Sequence, residues 1–186
     1  MVETEKKEVG VIQSKTESVK LIQAAKKGEQ AAFVRLVALH KQSMYATAMA
    51  VTHNEDDALD AIQDTILTLW EKLDTLRNPD YFKTWMTKIL VNKCCTMLRG
   101  NAREVAVEEE IGGSREEDLD TPLDVQAALH NLSQDDSLIL QLFYFEDLSL
   151  RQIADVLSIT AGAAKMRLTR SRKRFLKQYN TQEVGL

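Results

Sequence analysis

Residues that break helices are scarce in this chain. The 186 residues include only two prolines, Pro79 and Pro122, and seven glycines. No segment shows the strict alternation of apolar and polar side chains that a half-buried strand requires. Apolar residues make up 44% of the chain, which is enough for a packed core. These features together predict an all-α protein.

Charge is distributed unevenly along the sequence. Residues 148–186 hold eight basic and two acidic residues, whereas residues 100–126 hold nine acidic and two basic residues. The segment GNAREVAVEEEIGGSREEDLDTPLD also has a weak apolar pattern, which is typical either of a linker or of simple solvation. We therefore predict two small helical domains, residues 19–99 and 125–180, joined by a flexible acidic linker, residues 100–124, after a flexible tail, residues 1–18.

Several classes of protein are disfavoured by the sequence. No apolar run reaches the ~18 residues of a membrane span, and the N-terminal segment lacks the apolar core of a signal peptide. Cys94 and Cys95 are adjacent and have no histidine at metal-ligand spacing, so we interpret them as small side chains on a helix in a reducing cytoplasm. Neither a nucleophile–base set nor a metal-binding cluster is recognisable. We predict no enzymatic activity, no metal or cofactor, and no small-molecule substrate.

The C-terminal domain has the pattern of a helix-turn-helix. Ser133, Ser149 and Thr160 are placed to cap three successive helices, and a short turn at residues 158–159 separates the last two. The third helix is basic, and its first turn contains the small residues of the segment AGAA, which allow close approach to DNA. A basic, solvated helix that closes a small bundle is the alternative. The apolar faces of the three helices contain Leu138, Leu142 and Phe145, then Ile153, Ala154 and Leu157, then Ala164, Leu168 and Phe175.

The segment NEDDALDAIQDTILTLWEKL predicts an amphipathic helix with an acidic face. Asn54 is the expected N-cap, with Asp57 three residues later as in a capping box. Asp57, Asp60 and Asp64 follow at helical spacings and share the exposed face. Such a face is either solvated or binds a basic protein surface. The buried stripe is predicted to contain Ala58, Ile62, Ile66 or Thr65, Leu69 and Leu73.

The next helix, YFKTWMTKILVNKCCTMLR, contains basic residues and no acid. A turn signal with Pro79, DTLRNPDYF, precedes it. We expect Trp70 and Trp85 to lie in the core rather than to stack on bases. Lys88, Asn92, Thr96 and Arg99 recur at helical spacing on one outer face, which suits a nucleic-acid backbone.

Three segments, taken in order, resemble the conserved regions of bacterial sigma factors of the extracytoplasmic-function group. They are AAFVRLVALHKQSMYATAMAVTHNEDDALDAIQDTILTLWEKL, then FKTWMTKILVNKCCTMLR, and then LSLRQIADVLSITAGAAKMRLTRSRKRF. The resemblance covers residues 22–99 and 128–177. Leu59 and Met166 depart from the residues that the family usually has at these positions.

The resemblance implies a role for each of these surfaces. The acidic helix would bind core RNA polymerase at its beta-prime clamp through Asp57, Asp60, Gln63 and Asp64. The turn and the helix after it would melt and bind the minus-ten element through Arg77, Asn78, Asp80, Lys83, Trp85, Lys88, Asn92 and Arg99. The helix-turn-helix, chiefly its last helix, would read the minus-thirty-five element through Arg151, Thr160, Gly162, Lys165, Met166, Arg167, Thr169, Arg170 and Lys173. Arg172, Lys173 and Arg174 are expected to meet mainly phosphates.

The resemblance therefore implies an alternative sigma factor, in the cytoplasm, of a stress or envelope response. Its partners would be core RNA polymerase, including the beta flap, promoter DNA and an anti-sigma factor, which in this family is often membrane-bound. A linker of ~25 residues extends to about 80 Å, and two turns of DNA span about 70 Å, so one chain can reach both promoter elements. Two alternatives are a dimeric helix-turn-helix regulator and a sigma-like decoy for an anti-sigma factor.

Overall fold

A computed structural model describes residues 17–105 and 132–183 of the chain, and its regular structure in these ranges is entirely helical, as predicted. None of the described helices is long and apolar enough to cross a bilayer. The predicted tail up to residue 16, and the predicted linker from residue 106 onwards, lie outside the described residues. The helices are α1 (17–26), α2 (Gln30–Thr52), α3 (Glu55–Lys72), α4 (Phe82–Val105), α5 (Gln134–Leu140), α6 (Leu150–Val156) and α7 (Ala161–Glu183).

Helices α1 to α4 form the N-terminal unit. The helices α2, α3 and α4 pack against one another in pairs, around fully buried side chains such as Leu36, Leu69 and Leu90. Burial of a leucine of this kind contributes roughly 1.5–3 kcal/mol. Helix α1 adds Ile22 to the same core.

The start of α3 follows from a local sequence signal, whereas the end of α4 does not. Asn54 caps α3, because its side chain accepts a hydrogen bond from the backbone N–H of Asp57 at 3.0 Å. Helix α4 continues to Val105, six residues past the domain end placed at residue 99. The sequence analysis began the linker at residue 100 because the composition changes there, but a glycine inside a helix costs only about 1 kcal/mol and no proline follows before Pro122.

Helices α5 to α7 form the C-terminal unit, and all three predicted caps are present. Ser133 and Ser149 accept from the N–H groups of Asp136 and Gln152, and Ser149 and Gln152 form a reciprocal capping box. Thr160 accepts from the N–H of Ala163 at 3.1 Å. The turn between α6 and α7 passes through Ser158, whose φ of 53° is left-handed.

A π turn, Gln141–Phe145, extends α5 and changes the face that its last residues present. The extra residue in the turn shifts the helical register. Leu142 is buried as expected, but Phe145 is 46% exposed, so its assignment to the apolar face was wrong. The π turn also delivers Glu146 to the boundary between the two units.

The two units are in contact. Helix α2 packs against α5 and the π turn, and α4 packs against α6. Buried side chains of both units belong to one hydrophobic cluster. The surfaces that the sequence assigned to different ligands are therefore held in a defined relation to each other.

Candidate protein and nucleic-acid interfaces

The acidic face of α3 is present as predicted. Asp60, Gln63 and Asp64 are exposed, and Asp57 near the N-terminus of the helix is half-buried. Asp64 lies 3.5 Å from the ammonium of Lys93 on α4, an exposed pair. Carboxylates at this density on one helix face destabilise the helix slightly and attract a basic partner.

An apolar stripe that the sequence analysis did not identify runs beside the acids. Leu59, Leu67 and Trp70 are 50%, 57% and 41% exposed, and they follow one another along α3 at helical spacing. Trp70 packs edge-on against Phe33 at 4.9 Å between ring centroids, so its expected place wholly inside the core was wrong. Apolar side chains rimmed by acids on one helix are typical of a protein-binding surface rather than of a solvated face.

The turn between α3 and α4 consists of two short 3₁₀ helices, Leu73–Thr75 and Pro79–Tyr81. Leu76 is buried and anchors the turn, and the ammonium of Lys26 on α1 donates to its backbone carbonyl. Asn78 accepts from the N–H of Asp80 at 3.0 Å, which fixes the second 3₁₀ helix. Arg77, Asn78 and Asp80 are exposed on this anchored turn.

The sequence predicts that the loop Leu76–Tyr81 engages the minus-ten region, but it did not single out Tyr81 within that loop. Tyr81 is 56% exposed at the junction of the turn and α4. An exposed ring on an anchored turn provides a platform on which an unpaired base can stack. An aromatic residue directly after the Asn-Pro-Asp turn was the signal for this role in the sequence.

Along α4, Asn92, Thr96 and Arg99 are exposed and Lys88 is half-buried, so the predicted outer face exists. Trp85 is half-buried beside Phe82, with 6.1 Å between ring centroids. The two lysines nearest the start of the helix also contact carboxylates of the C-terminal unit. The ammonium of Lys83 lies 3.0 Å from Glu146, and that of Lys88 lies 2.8 Å from Asp155.

The basic helix α7 presents most of its predicted residues to solvent. Gly162 has no internal packing reason to be a glycine, since an added Cβ would meet nothing closer than a contact of 4.0 Å with Thr160. Arg167 is half-buried and pairs with Asp135 of α5 at 3.3 Å. The exposed members of the predicted set are Arg151, Thr160, Gly162, Lys165, Met166, Thr169, Arg170 and Lys173.

Arg174, for which the sequence predicts a phosphate contact, forms an ion pair with an acid of its own chain. Its guanidinium binds both carboxylate oxygens of Asp136, at 2.7 and 3.0 Å, and Asp136 is only 3% exposed. Burial alone would raise the pKa of Asp136, but hydrogen bonds from Ser171 and Arg174 hold this pKa below its usual value. Arg174 thus joins α7 to α5.

Arg172 also has an intramolecular contact that the sequence did not indicate. Its guanidinium lies 5.9 Å from the ring centroid of Tyr144, an exposed residue of the π turn. Of the three basic residues at positions 172–174, the structure therefore leaves Lys173 as the clearest candidate for a phosphate contact.

The two cysteines fit the interpretation as helix residues. Cys94 is buried and Cys95 half-buried on α4, and both are free thiols. Burial raises the pKa of Cys94 to about 12, which makes the thiol unreactive at neutral pH. Within residues 17–105 and 132–183, no three His, Cys, Asp or Glu side chains converge as a metal site would require.

Comparison with known families gives two matches. Residues 36–104 match the model of sigma-70 region 2, and residues 123–175 match that of sigma-70 region 4. The first match contains α2 to α4 with both candidate surfaces of the N-terminal unit, and the second contains the helix-turn-helix.

Relatives and solved structures agree with these matches. The chain is 31% identical over 163 residues to RNA polymerase sigma factor SigV of Bacillus subtilis, covering 86% of this chain and 98% of the relative. It is 25% identical to the extracytoplasmic-function sigma factor SigW of the same organism, and the match covers 86% of this chain and 95% of SigW. It is similar to the structure of CnrH in complex with the cytosolic domain of CnrY, at a TM-score of 0.65 and 25% identity, over 89% of this chain and 98% of the other. It is also similar to the sigma factor RpoE in complex with the anti-sigma factor NepR from Bartonella quintana, at a TM-score of 0.68 and 25% identity, over 80% of this chain and 96% of the other.

Proposed function

Because this chain belongs to the extracytoplasmic-function group of the sigma-70 family and is an alternative sigma factor that binds core RNA polymerase and promoter DNA, we propose that its three exposed surfaces divide this work. Helix α3 binds polymerase, the 73–81 turn with α4 binds the minus-ten element, and α7 reads the minus-thirty-five element. The main support for this division is the order of the surfaces along the chain: α3, the turn and α4 lie in the region 2 match, and the start of α7 lies in the region 4 match. Residues 19–99 and 125–180 would act as the two domains on either side of the acidic linker, residues 100–124.

The α3 surface supports polymerase binding by its chemistry. Asp60, Gln63 and Asp64 supply the acceptors, with Asp57 beside them, and the stripe of Leu59 and Leu67 supplies apolar area. A protein interface commonly combines an apolar centre with a charged rim that sets orientation and association rate. A surface for DNA would instead require cations. We propose that the α3 face binds the beta-prime clamp of polymerase and that the C-terminal unit binds the beta flap.

The minus-ten surface combines a cationic helix face with an exposed turn. Lys83, Lys88 and Arg99 can neutralise backbone phosphates. Arg77, Asn78 and Asp80 offer hydrogen-bonding groups on the anchored turn, where unpaired bases can be held. Trp85 packs beside the buried Phe82 at the start of α4. Asn92 is exposed on the outer face of the same helix.

Several further properties follow from the family by analogy. The neighbour RpoE is held in a complex with an anti-sigma factor, and we propose a partner of this class for the present chain. We also propose a cytoplasmic location, a stress or envelope response as the setting, and no catalysis by the chain itself. A dimeric regulator is disfavoured, since it would leave the acidic face with its apolar stripe without a function.

Strand opening tests the proposed function at the minus-ten surface. Tyr81→Ala should reduce the permanganate reactivity of promoter thymines in the complex with core polymerase by about fivefold, because base–aromatic stacking contributes roughly 1–3 kcal/mol. Tyr81→Phe keeps the ring and should open the promoter as the wild type does. Polymerase binding, measured on the same samples by co-purification, should be unchanged in both variants. Equal loss of opening in Tyr81→Phe, or a parallel loss of polymerase binding, would contradict the role of the ring.

A further inference from the structure

The turn of the minus-ten surface is held by a side chain of α1. Helix α1 (17–26) lies before residues 36–104, the part of the chain that matches the region 2 model. The ammonium of Lys26, the last residue of α1, donates to the backbone carbonyl of Leu76 and, at 3.5 Å, to that of Asp74. These partners are 50 and 48 residues further along the chain. The contact therefore joins two separate parts of the N-terminal unit.

The carbonyls that Lys26 contacts lie where α3 ends. The first 3₁₀ helix, Leu73–Thr75, directly follows the last residue of α3, and the N–H of Leu76 donates to the carbonyl of Leu73 at 3.1 Å. The last carbonyl groups of a helix have no partner within the helix and carry partial negative charge. A cation that donates to them is favourable for both reasons. Lys26 supplies this cation from another helix.

The end of α1 that carries Lys26 is itself fixed. Gly28 has a left-handed φ of 91°, and its N–H donates to the carbonyl of Ala25 at 2.9 Å. The N–H of Glu29 donates to the carbonyl of Ala24 at 3.2 Å. Together these two bonds form a Schellman motif, which a glycine in this conformation permits. The ammonium is therefore held from a defined position and not from a frayed helix end.

Short-range hydrogen bonds connect Leu76 to the exposed part of the turn. The side chain of Leu76 is buried in the core, so Lys26 holds the backbone of a residue whose side chain is already fixed. Asn78, two residues later, caps the second 3₁₀ helix. Its carbonyl accepts from the N–H of Tyr81 at 3.0 Å. The position of the backbone at Leu76 thus sets where the ring of Tyr81 lies.

We propose that Lys26 is a positioning residue of the minus-ten turn. It fixes the backbone at Leu76, so that Arg77, Asn78 and Tyr81 are already placed when an unpaired base arrives. Groups that are placed in advance bind without a further ordering cost. This role of Lys26 rests on the proposed function of the turn, and it requires no contact between Lys26 and DNA. It gives α1, which lies outside both matched regions, a part in promoter opening.

The first measurement follows the turn in the full-length free chain by fluorine NMR. The chain has four tyrosines, which can be labelled as meta-fluorotyrosine, and Tyr81→Phe identifies the resonance of Tyr81. Lys26→Met keeps the length of the side chain but removes its N–H donors, so this resonance should shift or broaden. Lys26→Arg keeps a cationic donor and should retain the wild-type resonance. The control is Lys27→Met, which removes an equal charge at the exposed neighbouring lysine and should also retain it.

The second measurement is promoter opening by the complex with core polymerase. The permanganate reactivity of promoter thymines should fall at least about threefold with Lys26→Met, because loss of a charge-assisted hydrogen bond shifts an equilibrium of this kind by about tenfold. Lys26→Arg and Lys27→Met should open the promoter as the wild type does. Binding to core polymerase, measured on the same samples by co-purification, should be unchanged in all three variants.

A Tyr81 resonance that is the same in Lys26→Met and Lys27→Met would overturn the positioning role, as would a failure of Lys26→Arg to retain the wild-type resonance. A changed resonance with normal opening, or a parallel loss of polymerase binding, would also overturn it. Tyr81→Ala separates this role from the proposed function. Normal opening with Tyr81→Ala would remove the turn from the minus-ten surface, whereas loss of opening with Tyr81→Ala but not with Lys26→Met would refute the role of Lys26 alone.

Discussion

Reversing Asp60 and Asp64 to lysine should weaken the affinity of the chain for core RNA polymerase by about 100-fold. Each reversal removes an attraction of about 0.7 kcal/mol and adds a repulsion of similar size, so two reversals amount to about 2.8 kcal/mol. Both side chains are exposed, so the helical circular dichroism should be retained. Fluorescence titration of labelled chain with core enzyme measures the affinity directly.

The matched control reverses two acids away from the α3 face. The side chain of Glu17 is 45% exposed and Glu29 is exposed, and Glu17→Lys with Glu29→Lys produces the same change in net charge. This control should bind core enzyme with an affinity close to that of the wild type. If both double variants lose affinity equally, the effect is one of net charge, and the assignment of α3 as the docking surface is wrong.

Lys165→Ala should change which promoter sequences the holoenzyme prefers. Lys165 is exposed one turn into α7, where side chains reach base edges in the major groove. A base contact is worth roughly 1–3 kcal/mol of discrimination, so preference at particular minus-thirty-five positions should relax about tenfold. Binding to a panel of single-base promoter variants measures this preference.

Lys173→Ala is the companion variant, and its expected effect is different. Lys173 lies further along α7 and is exposed, so we expect it to contact phosphate. Its loss should weaken binding to every member of the panel evenly and reduce the salt slope by about one. An unchanged ranking of the panel with Lys165→Ala would show that α7 does not enter the groove as proposed.

Local features of the fold were predictable from the sequence. The caps at Asn54, Ser133, Ser149 and Thr160 depend on hydrogen bonds from N–H groups three residues away, so the sequence pattern alone indicates them. The acidic face of α3 was predictable for a similar reason, since helical spacing fixes which side chains share a face.

Contacts between distant residues were not predictable in this way. Arg174 and Asp136 are 38 residues apart, and Lys83 and Glu146 are 63 apart. A basic residue near a DNA-binding motif looks the same in sequence whether it meets a phosphate or a carboxylate of its own chain. The π turn that exposes Phe145 also has no distinct sequence pattern, because it differs from an α-helix by one residue of register. The individual roles of the interface residues stay predictions.

Run-off transcription tests the central claim, that this chain directs polymerase to promoters, most directly. Core RNA polymerase is combined with genomic fragments in the presence and absence of the chain, and the start sites are mapped. New, defined start sites should arise only with the chain, and they should share two upstream elements at a constant spacing. The variant with Asp60 and Asp64 reversed should lose these sites at a concentration where the Glu17→Lys and Glu29→Lys control retains them. Start sites identical to those of core enzyme alone would contradict the account.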